Sequence, residues 1–255
     1  MLLSDEVTPI HSTQIFGEYG LKDISEETFN MYVRRIRSKY KLWEENITLE
    51  NLFEQEDLLV GENLTDTAIF LFGGDCADKY STSIIKMEDH KITISKNVCG
   101  NIFVQIENIM GTLQEILDFV HPEDLFSDME YPIKAVKEAV INMLIHADYQ
   151  NYKNNVIIID DNSIVFKNNI PSDKFCSGKI DENLIYKSNS FEDTNKKIKE
   201  IVKKSGINFY NDCSALKMKK ELEHRGMKKP SFYIENGFFN VKFYKKDFLY
   251  ISEFK

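Results

Sequence analysis

The chain has 255 residues, 42% hydrophobic and 29% charged, with a net charge of −9, enough for one large domain or two modest ones with an ample core. No segment approaches the ~20 apolar residues of a membrane span, and MLLSDEVTPIHST offers neither a basic n-region nor an apolar h-region, so no membrane association is expected. Four cysteines (Cys76, Cys99, Cys176, Cys213) without CxxC spacing argue against a disulfide framework or zinc knuckle and for a reduced, cytoplasmic setting.

No repeat or low-complexity tract interrupts the chain. Residues 25–43 predict a helix with Ser25 as N-cap and Glu26 and Glu27 in its first turn. LTDTAIFLFGG (64–74) predicts a second, capped by Thr65 or Asp66 and stopped by Gly73-Gly74. STSIIKM and HKITISKNV alternate apolar with polar residues, the pattern of half-buried strands. Residues 100–120 predict a long amphipathic helix, and HPEDLFSDMEYP a connecting loop that brings Pro132 to the first turn of the next helix. VIIID (156–160), a DNS turn and IVFKNN predict a hairpin. Two lysine-rich helices follow, ending at Gly206 and Gly226, and a final hairpin turns at Asn236-Gly237. Residues 1–130 carry 25 acidic and 10 basic side chains, whereas the remainder is basic. This shift predicts a boundary near residues 120–130, giving segments 1–125 and 126–255. The two charge-biased halves are either partner surfaces or face each other within the fold.

Several chemistry-bearing motifs are absent. SGKI (177–180) lacks the rest of a P-loop, and there is no GxSxG, HExxH or GxGxxG. No two histidines stand at i, i+4, which argues against a histidine metal site. KEAVINMLIHADY (137–149) is the informative stretch. At ~100° per residue, Val136, Val140, Met143 and Ala147 line one side of its helix, with Glu138 and Asn142 roughly opposite. A carboxylate can accept a proton from an attacking water, and an amide oxygen one turn on can ligate phosphate-bound Mg²⁺.

The surroundings carry a resemblance. YPIKAVKEAVINMLIHADY followed by VIIIDDNSIVFKNNIP resembles the RecG-related transcriptional regulators of bacteria and archaea, the Schlafen-AlbA-associated divergent ATPase proteins. Upstream, LTDTAIFLFGGD and GNIFVQIENIM are similar to two helices of that family. Downstream, KMKKELEHRGMKKPSFYIENGFFNVKF is similar to its closing helix and hairpin. The resemblance spans about residues 50–245 and implies a small N-terminal α/β domain followed by a GHKL-like (Bergerat-type) sandwich with a mixed sheet. It places Glu138 at the water-activating Glu and Asn142 at the Mg²⁺-binding Asn, with ATP and Mg²⁺ as the implied cofactors. His146, Asp148 and Tyr149 match His-x-Asp-Tyr, with Ala147 at the family Arg. His146 and Asn168 are the further residues expected at the nucleotide.

This chain also departs from the family pattern. Asn-Pro-Gly is replaced by Asn168-Asn169-Ile170-Pro171, and the Gly-x-Gly turn over the phosphates by NDCSALKM. Side chains with a Cβ hinder close backbone approach to a polyphosphate. Residues 1–40 are too few for an AlbA-like domain. The expected function is that of a regulatory protein with a degenerate GHKL-like nucleotide-binding domain and weak or lost ATP hydrolysis. Its expected partner is DNA or a DNA-binding protein, with a homodimer as the expected assembly. Two other readings stay open. One is an interaction or dimerisation scaffold without nucleotide. The other is a winged-helix-like DNA binder using Lys217, Lys219, Lys220 and Arg225.

Overall fold

The structure, a computed structural model, describes residues 19–42, 46–117, 119–120, 131–149, 154–171, 178–180, 195–207 and 214–245. Local chemistry starts the first four helices. In α1 (Glu26–Tyr40), the Ser25 hydroxyl accepts the Thr28 N–H at 3.2 Å. In α2 (Leu49–Gln55) and α3 (Asp66–Phe72), Thr48 and Thr65 accept from Asn51 and Ala68. In α4 (Ile102–Ile116), Asn101 accepts from Val104. Each cap satisfies an N–H that the helix itself leaves unpaired. The expected termini at Ser25, Thr65 and Gly73 are those observed.

Short strands β1 (Leu59–Val60) and β2 (Asn63–Leu64) pair with each other. The hairpin β3 (Ser81–Glu88) and β4 (Lys91–Cys99) precedes α4. After it, β5 (Phe119–Val120) pairs in parallel with β6 (Tyr131–Pro132), which leads into α5 (Ile133–Ile145). The hairpin β7 (Asn155–Asp160) and β8 (Ser163–Asn169) and the short β9 (Gly178–Lys179) come next. Helices α6 (Lys196–Lys204) and α7 (Ser214–His224) and the hairpin β10 (Ser231–Glu235) and β11 (Phe238–Tyr244) complete the described chain. That last hairpin turns where expected. Asn236 and Gly237 both have positive φ (51° and 80°), as the tight hairpin turn with the right twist requires.

The result is an α/β sandwich on a mixed seven-stranded sheet of order β4-β3-β7-β8-β11-β10-β9. Only β3 and β7 run parallel. Ile84, Ile157, Phe166, Val241 and Phe232 stand side by side across five strands. All are buried in one core with side chains of α1, α3, α4, α5, α6 and α7. Their neighbours Ile85, Ile158 and Lys242, one position on, point to the opposite face and are half-buried, as the period of two dictates. At the other end of the core, Phe72 packs at 5.2 Å from Tyr32, 5.3 Å from Phe53 and 5.8 Å from Phe103.

The expected division into 1–125 and 126–255 is not a division of the sheet. Strands β4 and β3 come from the first segment, and five residues of β3 pair with β7 of the second. A composition shift reports on surface chemistry, whereas strand pairing follows core burial across the whole chain. The charge asymmetry resolves partly inside the fold. Glu56, at the end of α2, lies 3.5 Å from Lys197 and 2.5 Å from Lys204 of α6. Lys39 of α1 donates to the Lys203 carbonyl at 2.7 Å. The acidic front and the basic back meet here.

Burial sets one pH dependence. Tyr32 is enclosed in the aromatic cluster, and Tyr149, whose hydroxyl donates to the Leu144 carbonyl at 2.6 Å, stacks on Phe70. Desolvation pushes both phenols well above the usual range, with Glu56 adding to the effect at Tyr32. Below about pH 10 both the folded and unfolded states keep these protons. Above it the unfolded state ionises first, binds fewer protons, and gains on the folded state. The urea midpoint is expected to decline above about pH 10, and Tyr149→Phe to make that decline shallower. An unchanged slope in the variant would refute the assignment.

Candidate functional site

Helix α5 carries Glu138 and Asn142 to the centre of the helical layer. Pro132 starts it, its fixed φ suiting a helix start. The expected polar face is not open. Ala135, Val136, Glu138, Ala139, Val140, Ile141, Met143, Leu144 and Ile145 are all buried, as in a helix enclosed on every side. The sheet lies under it, α4 beside it, and α7 covers the side carrying Glu138. Ala147, expected on the apolar stripe, lies beyond the helix end and is buried there.

Glu138 is 8% exposed, and its Oε1 has no hydrogen-bond partner among the described residues. The Lys217 ammonium lies 4.0 Å away on α7, and the Glu138 and Lys217 side chains are 10% and 14% exposed. This is a buried ion pair in a helix–helix contact. Asn142, one turn on, is half-buried, and its amide makes no side-chain hydrogen bond among the described residues.

The other expected residues are occupied by the end of α5. His146 is the C-cap, its N–H donating to the Asn142 carbonyl at 3.0 Å. Asn168, 3% exposed, donates its amide to the His146 carbonyl at 3.1 Å. Asn169 donates to the Asp148 carbonyl at 2.7 Å, and Asn195 to the carbonyls of Ile145 and Ala147, both at 2.8 Å. Three asparagines thus take up four successive carbonyls that a helix end leaves unpaired. The side-chain donors of Asn168 and Asn169 are thus spent on backbone carbonyls.

These contacts test the implied ATP and Mg²⁺. A water-activating carboxylate must face the water, but Glu138 faces Lys217 across an interface. Phosphate-cradling backbone must be free of Cβ and of other hydrogen bonds, but the Asn168-Asn169 corner has neither freedom. Asn142 keeps an amide without a side-chain hydrogen bond among the described residues, and one amide does not make a Mg²⁺–triphosphate site. The described residues on α5 and at the Asn168-Asn169 corner do not by themselves make a site for ATP·Mg²⁺ hydrolysis. The replacement for Gly-x-Gly begins at residues 211–213, which lie outside the described residues. So do Cys176, Cys213 and loop 121–130.

The winged-helix reading meets an obstacle as well. β11 pairs with β8 from Phe238↔Asn169 to Tyr244↔Ser163, so the closing hairpin is built into the sheet and does not project as a wing. Lys217 points inward, and Lys219 lies 3.8 Å from Glu223 on its own helix.

Sequence reasoning missed the roles of Lys217, Asn169 and Asn195. Lys217 adjoins Met218 on the buried stripe of Ala215, Met218 and Leu222, and that placement is the one local sign that it faces inward. The asparagines carry no local signal, because their acceptors lie 21 to 50 residues away in sequence.

No helix among the described residues is long and apolar enough to cross a membrane. No family model matches the chain, and no curated protein matches it. The fold is similar to the crystal structure of the DIP2311 protein from Corynebacterium diphtheriae, with a TM-score of 0.67 and 14% identity. The match covers 92% of this chain and 40% of that one. At that identity the likeness is one of fold.

Proposed function

We propose that this chain is a regulatory protein of the RecG-related transcriptional-regulator type. Its GHKL-like domain is retained as an interaction scaffold that has lost ATP hydrolysis. It works in the cytoplasm with DNA or a DNA-binding partner protein, as a homodimer. The observation that carries this reading is the placement of Glu138 within 4.0 Å of Lys217, inside the α5–α7 contact. There one carboxylate oxygen is buried in the helix contact, which supports a packing role over activation of a water. The absence of the family glycines supports the same reading, as does the use of Asn168 to hold the end of α5.

Titration calorimetry with ATP and Mg²⁺ on the native chain and on Asn142→Ala tests this. The expected result is no saturable heat up to about 1 mM ATP, corresponding to binding weaker than about −4 kcal/mol. Saturable binding that Asn142→Ala abolishes would overturn the scaffold reading and establish a nucleotide site on α5. Fluorescence anisotropy with labelled duplex DNA over a salt series then separates direct contact from action through a partner. Direct contact gives an affinity that falls steeply with salt.

A further inference from the structure

The seven-stranded sheet ends at β4, and no described strand pairs with its outer edge. In an antiparallel pair every second residue turns its N–H and C=O away from the neighbour, so β4 presents a row of backbone donors and acceptors along that edge. Proteins commonly blunt such an edge by shortening it, or with proline, charge or a bulge. β4 has nine residues and no proline. Its irregularity lies near the turn, at Lys86/Met87, and leaves residues 94–99 in regular register with β3.

The edge is also accessible. Lys91, Ile92, Thr93, Ser95, Lys96 and Asn97 are all exposed, with side chains of both sheet faces among them. Ile92, at 63%, is the most exposed large apolar side chain of the described residues. On α4, one turn before Glu115, a Cβ at Gly111 would meet nothing within 4 Å, so the helix carries no side chain at that position to overhang the strand.

Charge decides which strand such an edge accepts. β4 carries Lys91 and Lys96 and no carboxylate. Lys91 makes no ion pair among the described residues. Lys96 meets Glu115 at 2.8 Å, but the two side chains are 46% and 68% exposed. So open a pair contributes little and leaves ammonium hydrogens for a second acceptor. A second copy of β4 would bring only lysines, and no carboxylate, into the shared ladder. A strand with carboxylates opposite the two lysines would gain from each pair.

We propose that β4 is the docking edge for an extended, acidic segment of a partner protein, which joins the sheet as a further strand. Backbone hydrogen bonds hold the segment, its carboxylates meet Lys91 and Lys96, and an apolar residue covers Ile92. The proposal rests on the scaffold reading and names its surface and the chemistry of its partner. ATP titration tests that reading and the β4 amides test this one, so the two fail separately.

The probe is a fluorescein-labelled ten-residue peptide of valine, threonine and glutamate, followed by anisotropy. Its controls are the same peptide with lysine for glutamate and a third interrupted by two prolines. The acidic peptide is expected to bind saturably, and the lysine peptide about tenfold more weakly, since two attractive cross-strand pairs become repulsive. The proline peptide is expected not to bind, because it cannot complete a ladder. Hydrogen exchange of the complex should show alternate amides of β4 newly protected. Lys91→Glu should weaken the acidic peptide and tighten the lysine one, whereas Lys203→Glu, on α6, should leave both nearly unchanged. The proposal is overturned if the acidic peptide does not bind, if either control binds as tightly, or if the new protection falls outside β4. It is overturned equally if β4 amides become protected as the concentration of the chain alone is raised, which would assign the edge to a second copy.

Discussion

Phe72→Ala is expected to destabilise the chain by about 4 kcal/mol, near the middle of the range for emptying a buried phenylalanine site. The side chain is fully buried at the end of α3 and touches the rings of Tyr32, Phe53 and Phe103, which belong to α1, α2 and α4. Rings of that size on three separate elements cannot close over the lost volume without moving those elements, so a cavity remains. The same variant tests whether the first and last parts of the chain unfold together. Because β3 is hydrogen-bonded to β7, losing the α1–α4 packing should lower the protection of β8 and β11 amides in hydrogen exchange by the same free energy. A drop confined to α1–α4, with β8 and β11 unchanged, would restore an independent unit ending near residue 125.

Lys217→Met is the second large effect, a loss of about 3 kcal/mol. It leaves the buried Glu138 carboxylate without its facing cation, and uncompensated burial of a charge is what makes breaking such a pair expensive. Replacing both partners, as in Glu138→Leu with Lys217→Met, should recover much of that loss, since two apolar side chains of similar volume need no solvation. The double-mutant cycle, measured by urea unfolding, isolates the coupling between them. A coupling near zero would remove the pair from the list of what joins α5 to α7. If instead Lys217→Met created saturable ATP binding, the lysine would be a plug over a nucleotide pocket that is otherwise intact, and the scaffold reading would fall.

Features set within a few residues were readable beforehand. The caps at Ser25 and Thr65, the paired strands in 81–99 and the Asn236-Gly237 turn each depend on neighbours along the chain, and each is observed, although β4 is mostly exposed where the alternation predicts a half-buried strand. Helix α5 is where expected but ends at Ile145, before Ala147, and its environment differs from the expected one. Periodicity told that Glu138 lies opposite Val136 and Val140, but not that a second helix from far along the chain lies over it. A polar position facing solvent and one facing a buried lysine leave the same trace in the sequence of that helix. Lys217 was misread for the complementary reason. A lysine-rich helix looks like a phosphate-binding surface until its inward position is known. The bonds of Asn168 and Asn169 to the end of α5 depend on where β8 lies in space, which no local pattern reports.

The single parallel pairing in the sheet governs the order in which this chain can fold. β3 and β7 are about seventy residues apart in sequence, and closing a loop of that length has to be compensated by contacts formed later. The β3–β4 hairpin can form early from local contacts, yet the inner edge of β3 stays unpaired until α4, α5 and β7 have been made. During synthesis that edge emerges well before its partner, exposing hydrogen-bonding backbone and the side chains of Ile84 and Ile85 in the meantime. Renaturation should therefore be limited by joining the two halves of the sheet, and the interval before that step is when the chain is most prone to aggregate.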